Sequence, residues 1–329
     1  MSPFQKLFTP WRIGKLELKN RIVMPPMATN FADLEGSVNE RHIAYYRRRA
    51  RGGAGLIIFE HTGIAKQGKA FANMALIDSD AKISQFKKLA RTVHEEGGKF
   101  FIQINHAGRQ TTSAFTGGPL VAPSPIPCPV RREMPKALSQ KEIYELVQAY
   151  AKAAVRAKES GADGVEIHMA HGYLLNQFLS PFSNRREDEY GGSLERRLKM
   201  PLDVLRAVRN KVGADFPVTC RFSADEYVEG GLRIEDSKQI ARNLEEHGAD
   251  GQVRRSDSGN HSWPNPDSRF GRPNHKGKQG GFRRHGSGLD RRPGTAPKSG
   301  AGSSHGNHSL HLLQSLRLEH SQGRSAMCR

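Results

Sequence analysis

Short apolar runs, each preceded by a glycine-rich turn and a charged, helix-compatible stretch, recur along the first 251 residues. The runs lie at 56–59, 100–104, 165–167 and 217–222, and an earlier run at 20–24 is stopped by Pro25 and Pro26. The stretches at about 39–51, 81–96, 139–159, 194–211 and 234–246 have the length and charge of helices. Ser139, with Glu142 three residues later, predicts a capping box at the start of the third. Strands that alternate with helices in this way predict a parallel sheet covered by helices.

Polar residues follow the apolar part of most predicted strands. Glu60-His61-Thr62 come after the run at 56–59, and Asn105 and His106 come after the run at 100–104. Active sites of (β/α)8 barrels lie at the carboxyl ends of the strands. This pattern therefore favours a (β/α)8 TIM barrel over a doubly wound sheet. No Gly-x-Gly-x-x-Gly follows the first strand, which removes the main support for a dinucleotide-binding fold.

Three candidate catalytic residues, His168, His171 and Tyr173, follow the apolar run at 165–167. Residues three apart on a strand point to opposite faces, so the two histidines meet only if the chain turns between them. Gly172 permits such a turn. Single histidines are often merely structural, and His-x-x-His can bind zinc, but the neighbouring residues supply no further zinc ligand. With Tyr173 beside them, we interpret the pair as catalytic, with no metal.

Length and composition fit one large α/β domain or two modest ones. The chain has 329 residues, a hydrophobic content of 36% and a formal net charge of +18. Cys128, Cys220 and Cys328 lie far apart and lack the spacing of a metal or iron–sulfur site. The N-terminus has no apolar signal core, and no run of about 18 apolar residues occurs. We therefore expect a soluble, cytoplasmic protein with no membrane partner.

The repeating pattern stops after Gly251. The turn GADG at 161–164 leads into the apolar VEIH, whereas the same GADG at 248–251 leads into QVRRSDSGNHSWPNP. These charges would be uncompensated in the core of a barrel. Residues 252–329 hold 14 of the 51 basic residues, 4 of the 33 acidic residues and 7 of the 14 histidines. We therefore predict a barrel domain over 1–251 and a disordered basic tail over 252–329.

Two explanations of this tail stay open. A genuine basic extension would bind nucleic acid through the release of counterions. Alternatively, the reading frame changed near Gly251 and the tail was never selected to fold. The break falls inside a repeating unit, and the tail lacks the interleaved aromatic residues of RNA-binding segments. Both observations favour the changed frame and disfavour nucleic acid as a partner.

Several motifs resemble those of the old yellow enzyme family of FMN-dependent ene-reductases. They are MPPMAT, QINHAGRQ, CRFSADEYVEGG and, most specifically, VEIHMAHGYLLNQFLSP followed by DEYGGS. The resemblance covers residues 3–251 and extends to the NADH:flavin oxidoreductase and 2,4-dienoyl-CoA reductase-like branch. It implies a (β/α)8 barrel with FMN across the carboxyl ends of its strands.

The resemblance also implies residue roles for the cofactor. Pro26, Met27 and Ala28 would pack against the flavin, and His61, after the second strand, would lie beside its ring. Gln103 would hydrogen-bond the pyrimidine edge. Arg221 would lie near N1 and O2, where a permanent guanidinium charge stabilises negative charge.

For catalysis, the resemblance implies that NADH or NADPH reduces FMN, which then passes hydride to an activated alkene. His168 and His171 would donate hydrogen bonds to the carbonyl or nitro oxygen of this small-molecule substrate, and Tyr173 would protonate its α-carbon. The family's later strands and phosphate-binding loops have no counterpart after Gly251. We therefore expect an incomplete barrel that holds FMN weakly. The alkene, the choice of nicotinamide and the existence of a homo-oligomer stay open.

Overall fold

A computed structural model of the protein describes residues 4–251. Within this range a main parallel sheet is accompanied by an antiparallel hairpin and one further pair of short strands. The strands are β1 (Trp11–Ile13), β2 (Leu16–Leu18), β3 (Val23–Met24), β4 (Leu56–Gly63), β5 (Lys99–Asn105), β6 (Val121–Ala122), β7 (Lys136–Ala137), β8 (Gly164–Met169) and β9 (Val218–Phe222). The α-helices are α1 (Glu40–Arg51), α2 (Ile83–Glu95), α3 (Ser113–Thr116), α4 (Gln140–Glu159), α5 (Leu174–Leu179), α6 (Leu194–Val212) and α7 (Ile234–Glu246).

The order of strands in the main sheet shows how the chain is wound. The order is β3-β4-β5-β8-β9, so each parallel strand lies beside the next main-sheet strand along the chain. All crossovers therefore advance in one direction, as in a barrel, whereas a doubly wound sheet reverses direction at a switch point. The barrel prediction is confirmed for the strands that the structure describes.

The two faces of the sheet differ in chemistry. One face is apolar and packs against the helices, with Phe59, Ile102 and Val165 in the same buried cluster as Phe86 of α2 and Leu205 of α6. Continuous burial of this face explains why the strands read as apolar runs. The opposite face is the interior of the barrel and carries the polar residues described below.

A hairpin of β1 and β2, which the sequence analysis missed, closes the amino-terminal end of the interior face. Trp11 pairs with Leu18 in the hairpin, and Leu18 packs with Leu56, Ile58 and Phe101. These strand residues therefore form an apolar floor. The polar chemistry of the interior is confined to the carboxyl ends of the strands.

In each of the two GADG turns, the aspartate binds the backbone at the start of the neighbouring strand. Before β8, Asp163 N–H donates to the carbonyl of Phe100 (2.7 Å), and the Asp163 carboxylate accepts the N–H of Phe100 (2.8 Å). After α7, Asp250 repeats both bonds with Val218, at 2.7 and 2.8 Å. The two GADG turns are therefore structurally equivalent up to Asp250.

Two strands extend beyond the apolar runs that predicted them. Residues 60–62 lie within β4, which continues to Gly63, and His168 lies within β8, which ends at Met169. Polar residues on an interior face alternate with apolar ones, so a change to polar side chains did not mark the end of the strand. Residues 110–138, which connect β5 to α4, contain α3, β6 and β7. The predictions for residues 252–329 lie outside the described residues.

Candidate active site

The register of the parallel strands brings several predicted site residues onto the interior face. Gln103 lies opposite Glu166, and His168 lies opposite Arg221. Because alternate residues of a strand share a face, these four side chains project from the same side of the sheet. Gln103 Nε2 donates to Glu166 Oε1 at 2.7 Å. Burial raises the pKa of Glu166, while the nearby Arg221 charge and this hydrogen bond oppose the rise.

A β-bulge turns His61 toward the same face. Phe59 lies opposite Ile102 and Thr62 lies opposite Ile104, so Glu60 and His61 together oppose Gln103. In a regular strand His61 would follow Phe59 to the helix-covered face, and the extra residue redirects its ring. The strand sequence alone gives no signal for this bulge.

His61, His168, His171 and Tyr173 form one ring cluster, as the sequence predicted for the last three. The centroid distances are 5.2 Å for His61–Tyr173, 5.1 Å for His168–Tyr173, 5.0 Å for His168–His171 and 6.1 Å for His61–His168. The cluster lies at the carboxyl ends of β4 and β8. His61 and His168 are buried, and His171 and Tyr173 are partly exposed.

Hydrogen bonds define the tautomers of the histidine pair. Burial lowers the pKa of His168 well below its ordinary value, so its ring is neutral. Its Nδ1 accepts the N–H of Ala170 at 3.4 Å, which places the proton on Nε2. His168 Nε2 lies 3.2 Å from His171 Nδ1 and donates to it. The Nε2–H of His168 is therefore already hydrogen-bonded to His171 in the free protein.

The turn after β8 is left-handed and held by side chains. His171 has φ 60° and Gly172 has φ 71°, conformations that cost a non-glycine residue energy. His171 N–H donates to Ser223 Oγ (3.2 Å), and its carbonyl accepts from Gln110 Nε2 (2.8 Å). The Gly172 carbonyl accepts from Gln177 Nε2 at 2.7 Å. The turn that the sequence required between His168 and His171 is thus present.

The predicted flavin-contacting loop follows β3. Pro26 is partly buried, whereas Met27 and Ala28 are exposed. At the end of the loop, Thr29 N–H donates to the carboxylate of Glu60. Glu60 also pairs with His42 of α1, with 3.1 Å between Nε2 and Oε1.

Asn105 is a site residue that the sequence analysis placed after its strand but did not assign to the site. It is fully buried, and its Nδ2 lies 3.1 Å from His61 Nδ1. Its Oδ1 has no hydrogen-bond partner among the described residues, and the same holds for Thr29 Oγ1. Asn105 lies two residues after Gln103, so the alternation of faces was the signal that could have found it.

The described part of the chain contains neither a group of metal ligands nor a membrane-spanning helix. Within residues 4–251, no three His, Cys, Asp or Glu side chains are grouped as metal ligands. No helix in the same range is long and apolar enough to cross a membrane.

We expect acid to destabilise the folded chain between about pH 6.5 and about pH 4. Burial lowers the pKa of both His61 and His106 to about 4. Histidines of the unfolded chain take up protons near pH 6.5, so the unfolded state binds more protons in this window. The free energy of unfolding therefore decreases as the pH is lowered, by at most about 1.4 kcal/mol per pH unit for each histidine.

Urea unfolding across this pH range measures the effect. His106→Gln should reduce the slope of the unfolding free energy against pH relative to the wild-type chain. A wild-type slope in His106→Gln would contradict the assignment.

The fold and site define the protein as a parallel α/β barrel with a candidate active site at the carboxyl ends of its strands. The chain belongs to the NADH:flavin oxidoreductase / NADH oxidase family, whose model matches residues 6–266. This confirms the resemblance found in the sequence, and the match continues past Gly251.

Known relatives agree with this assignment. The chain is 52% identical over 250 residues to an NADH oxidase of Thermoanaerobacter brockii, covering 75% of this chain and 38% of the relative. It is 43% identical over 242 residues to a metal reductase of Desulforamulus reducens, covering 74% and 36%. The structure of the old yellow enzyme homologue from Zymomonas mobilis superposes with a TM-score of 0.68 at 33% identity, covering 73% and 71%. The chain thus spans less than two fifths of the first two relatives.

Proposed function

We propose that this chain binds FMN over the interior face and uses NADH or NADPH to reduce an activated alkene, such as an α,β-unsaturated carbonyl compound. The observation that carries the proposal is the ring cluster of His61, His168, His171 and Tyr173 beside Arg221 and Gln103. Membership of the NADH:flavin oxidoreductase family supports the choice of cofactor and reductant.

The described residues fit a flavin. Thr29 Oγ1 and Asn105 Oδ1 are buried acceptors without a protein partner in this part of the chain, which is unusual for buried polar atoms. Both lie at the carboxyl ends of β3 and β5. A ring system with hydrogen-bonding edges would satisfy such atoms.

The surroundings of Gln103 support its proposed cofactor contact. Glu166 holds one N–H of the Gln103 amide, so the amide is oriented and its remaining groups are available to a pyrimidine edge. Arg221 would supply a permanent positive charge to that end of the ring. Pro26, Met27 and Ala28 would pack against the ring, and His61 would lie beside it. When bound, FMN supplies the two-electron redox chemistry.

His168 and His171 bind and polarise the substrate oxygen. In the free protein the Nε2–H of His168 donates to His171 Nδ1. The substrate oxygen replaces this acceptor, and His171 then presents a ring N–H to the same oxygen. Both rings remain neutral donors because burial lowers their pKa values, that of His171 to about 4. Tyr173 protonates the α-carbon.

His168→Ala should lower kcat/KM for alkene reduction by about 10²- to 10³-fold, the usual cost of removing one donor to a polarised oxygen. Steady-state kinetics with an enone measures this. His94→Ala, at a histidine outside the cluster, should leave kcat/KM unchanged. A His168→Ala enzyme with the wild-type value would refute the role.

FMN binding is the experiment that tests the proposal as a whole. The full chain, purified and stripped of cofactor, should quench FMN fluorescence on titration, and Arg221→Gln should bind more weakly. Failure to bind FMN would refute the proposal. The expected weakness of binding is tested with riboflavin, which lacks the phosphate. If the phosphate-binding loops are missing, riboflavin should bind as tightly as FMN, whereas a strong preference for FMN would refute the loss of the anchor.

A further inference from the structure

In the left-handed turn, the backbone N–H of Gly172 donates to Asn176 Oδ1 at 2.6 Å. Asn176 lies on α5 and is 1% exposed, so the acceptor is held inside the protein. A Cβ at residue 172 would lie 2.6 Å from Gln110 Oε1, so the turn is packed closely on its other side as well. The conformation of His171 therefore depends on the chain around it.

Glu226 determines which way the Asn176 amide points. Asn176 Nδ2 donates to Glu226 Oε1 at 3.1 Å, and this leaves Oδ1 facing Gly172. An amide flipped by 180° would present its NH2 to an N–H donor and its oxygen to a carboxylate. The carboxylate thus selects one of two amide orientations.

Glu226 is itself held in place. Its second oxygen, Oε2, accepts hydrogen bonds from the Ser180 hydroxyl (2.5 Å) and from the N–H of Leu232 (2.8 Å). Its own N–H donates to the Leu232 carbonyl at 3.1 Å. Glu226 lies in the loop that follows β9, so this loop reaches across to the turn that follows β8.

We propose that Asn176, oriented by Glu226, is a positioning residue that holds His171 against His168. The importance of this positioning role for catalysis rests on the proposed function. Without a correctly oriented acceptor, the Gly172 N–H loses its protein partner, and the left-handed pair at 171–172 relaxes to another conformation. The His171 ring then leaves His168, and the substrate oxygen loses its two-point support.

The test uses the full chain without flavin, so its result does not depend on FMN binding. The nitrogen and proton resonances of the imidazole groups report the bond from His168 Nε2–H to His171 Nδ1. Asn176→Asp keeps the acceptor for Gly172 but faces the Glu226 carboxylate with a second negative charge, and the hydrogen-bonded His168 resonance should disappear. The double variant Asn176→Asp with Glu226→Gln replaces that repulsion by an amide donor and should restore the resonance.

Asn184→Asp is the matched control. Asn184 is also a buried asparagine of this region, but its Nδ2 donates to the carbonyls of Phe178 and Tyr190, away from the turn. This variant should lower the melting temperature yet keep the His168 resonance. Glu226→Ala changes no residue of α5 or of the turn, and it should also lose the hydrogen-bonded His168 resonance. This variant replaces Asn176→Asp in the test if Asn176→Asp does not fold.

A resonance that persists in Asn176→Asp or Glu226→Ala, or that is lost equally in Asn184→Asp, would overturn the proposal. Failure of the proposed function has a different signature. In that case the resonances would behave as described, but FMN would not bind.

Discussion

Replacing Tyr173 with Phe should lower kcat for enone reduction by about 10²- to 10⁴-fold, the usual contribution of a positioned general acid. The Tyr173 ring stacks on His61 and contacts His168 edge-on, so Phe keeps the packing and removes only the hydroxyl. Burial raises the pKa of Tyr173, which keeps the phenol protonated at neutral pH, although a hydrogen bond with Gln110 opposes the rise. The hydroxyl therefore carries the proton that the proposed general acid has to donate.

Steady-state kinetics with saturating NADPH and an enone measures this loss. Tyr190→Phe is the matched control, because Tyr190 is buried against Phe178 outside the ring cluster. It should keep the wild-type kcat. If the two variants lose activity equally, or if Tyr173→Phe loses none, Tyr173 is not the acid.

The second large effect concerns stability. His42→Ala should lower the free energy of unfolding by about 3–5 kcal/mol, the cost of removing one partner of a buried, hydrogen-bonded pair. His42 and Glu60 are 0% and 1% exposed, and His42 Nε2 lies 3.1 Å from Glu60 Oε1. Glu60 also accepts the N–H of Thr29. The loss of stability should therefore extend to the loop at 25–29, which this bond attaches to Glu60.

Urea unfolding of His42→Ala and His94→Ala gives a controlled comparison. His94 pairs with Asp163 at 2.6 Å, but it is 38% exposed, and Asp163 keeps bonds to Phe100 and Lys99 when His94 is removed. His94→Ala should cost no more than about 1 kcal/mol. Adding Glu60→Gln to His42→Ala should recover part of the loss. Equal losses of unfolding free energy in the two variants would show that burial does not determine how much each pair stabilises the protein.

Much of the fold could be predicted from periodicity and capping. Helix α7 begins and ends where the sequence predicted, at Ile234 and Glu246. The capping box of Ser139 and Glu142 is present at the start of α4. These features depend on residues close together in the chain, which a sequence displays directly.

Features that depend on distant residues were missed. Strands β1 and β2 have three residues each, too few to show a period. All six residues of α5 are buried, so it has no polar face to reveal a helix. The bulge that redirects His61 and the pairing of Glu60 with His42 depend on neighbours supplied by other elements.

The candidate site was predicted in part. The ring cluster of His168, His171 and Tyr173 followed from one motif whose residues are adjacent in the chain. Glu166, Asn105 and Glu226 were not recognised because their partners, among them Gln103, His61 and Asn176, lie on other elements. Supporting residues of this kind can be recognised only once the three-dimensional structure shows which elements lie side by side.

The bonds between Asp250 and Val218 make this position a natural junction for protein engineering. Asp163 contacts Phe100 in the same way, and the residue after Asp163 lies opposite Phe101. If a strand followed Asp250 as β8 follows Asp163, its first residue would lie opposite Thr219. A chimera that joins the corresponding half of a related barrel at Gly251 would therefore keep the Asp250 bonds that set where this strand begins.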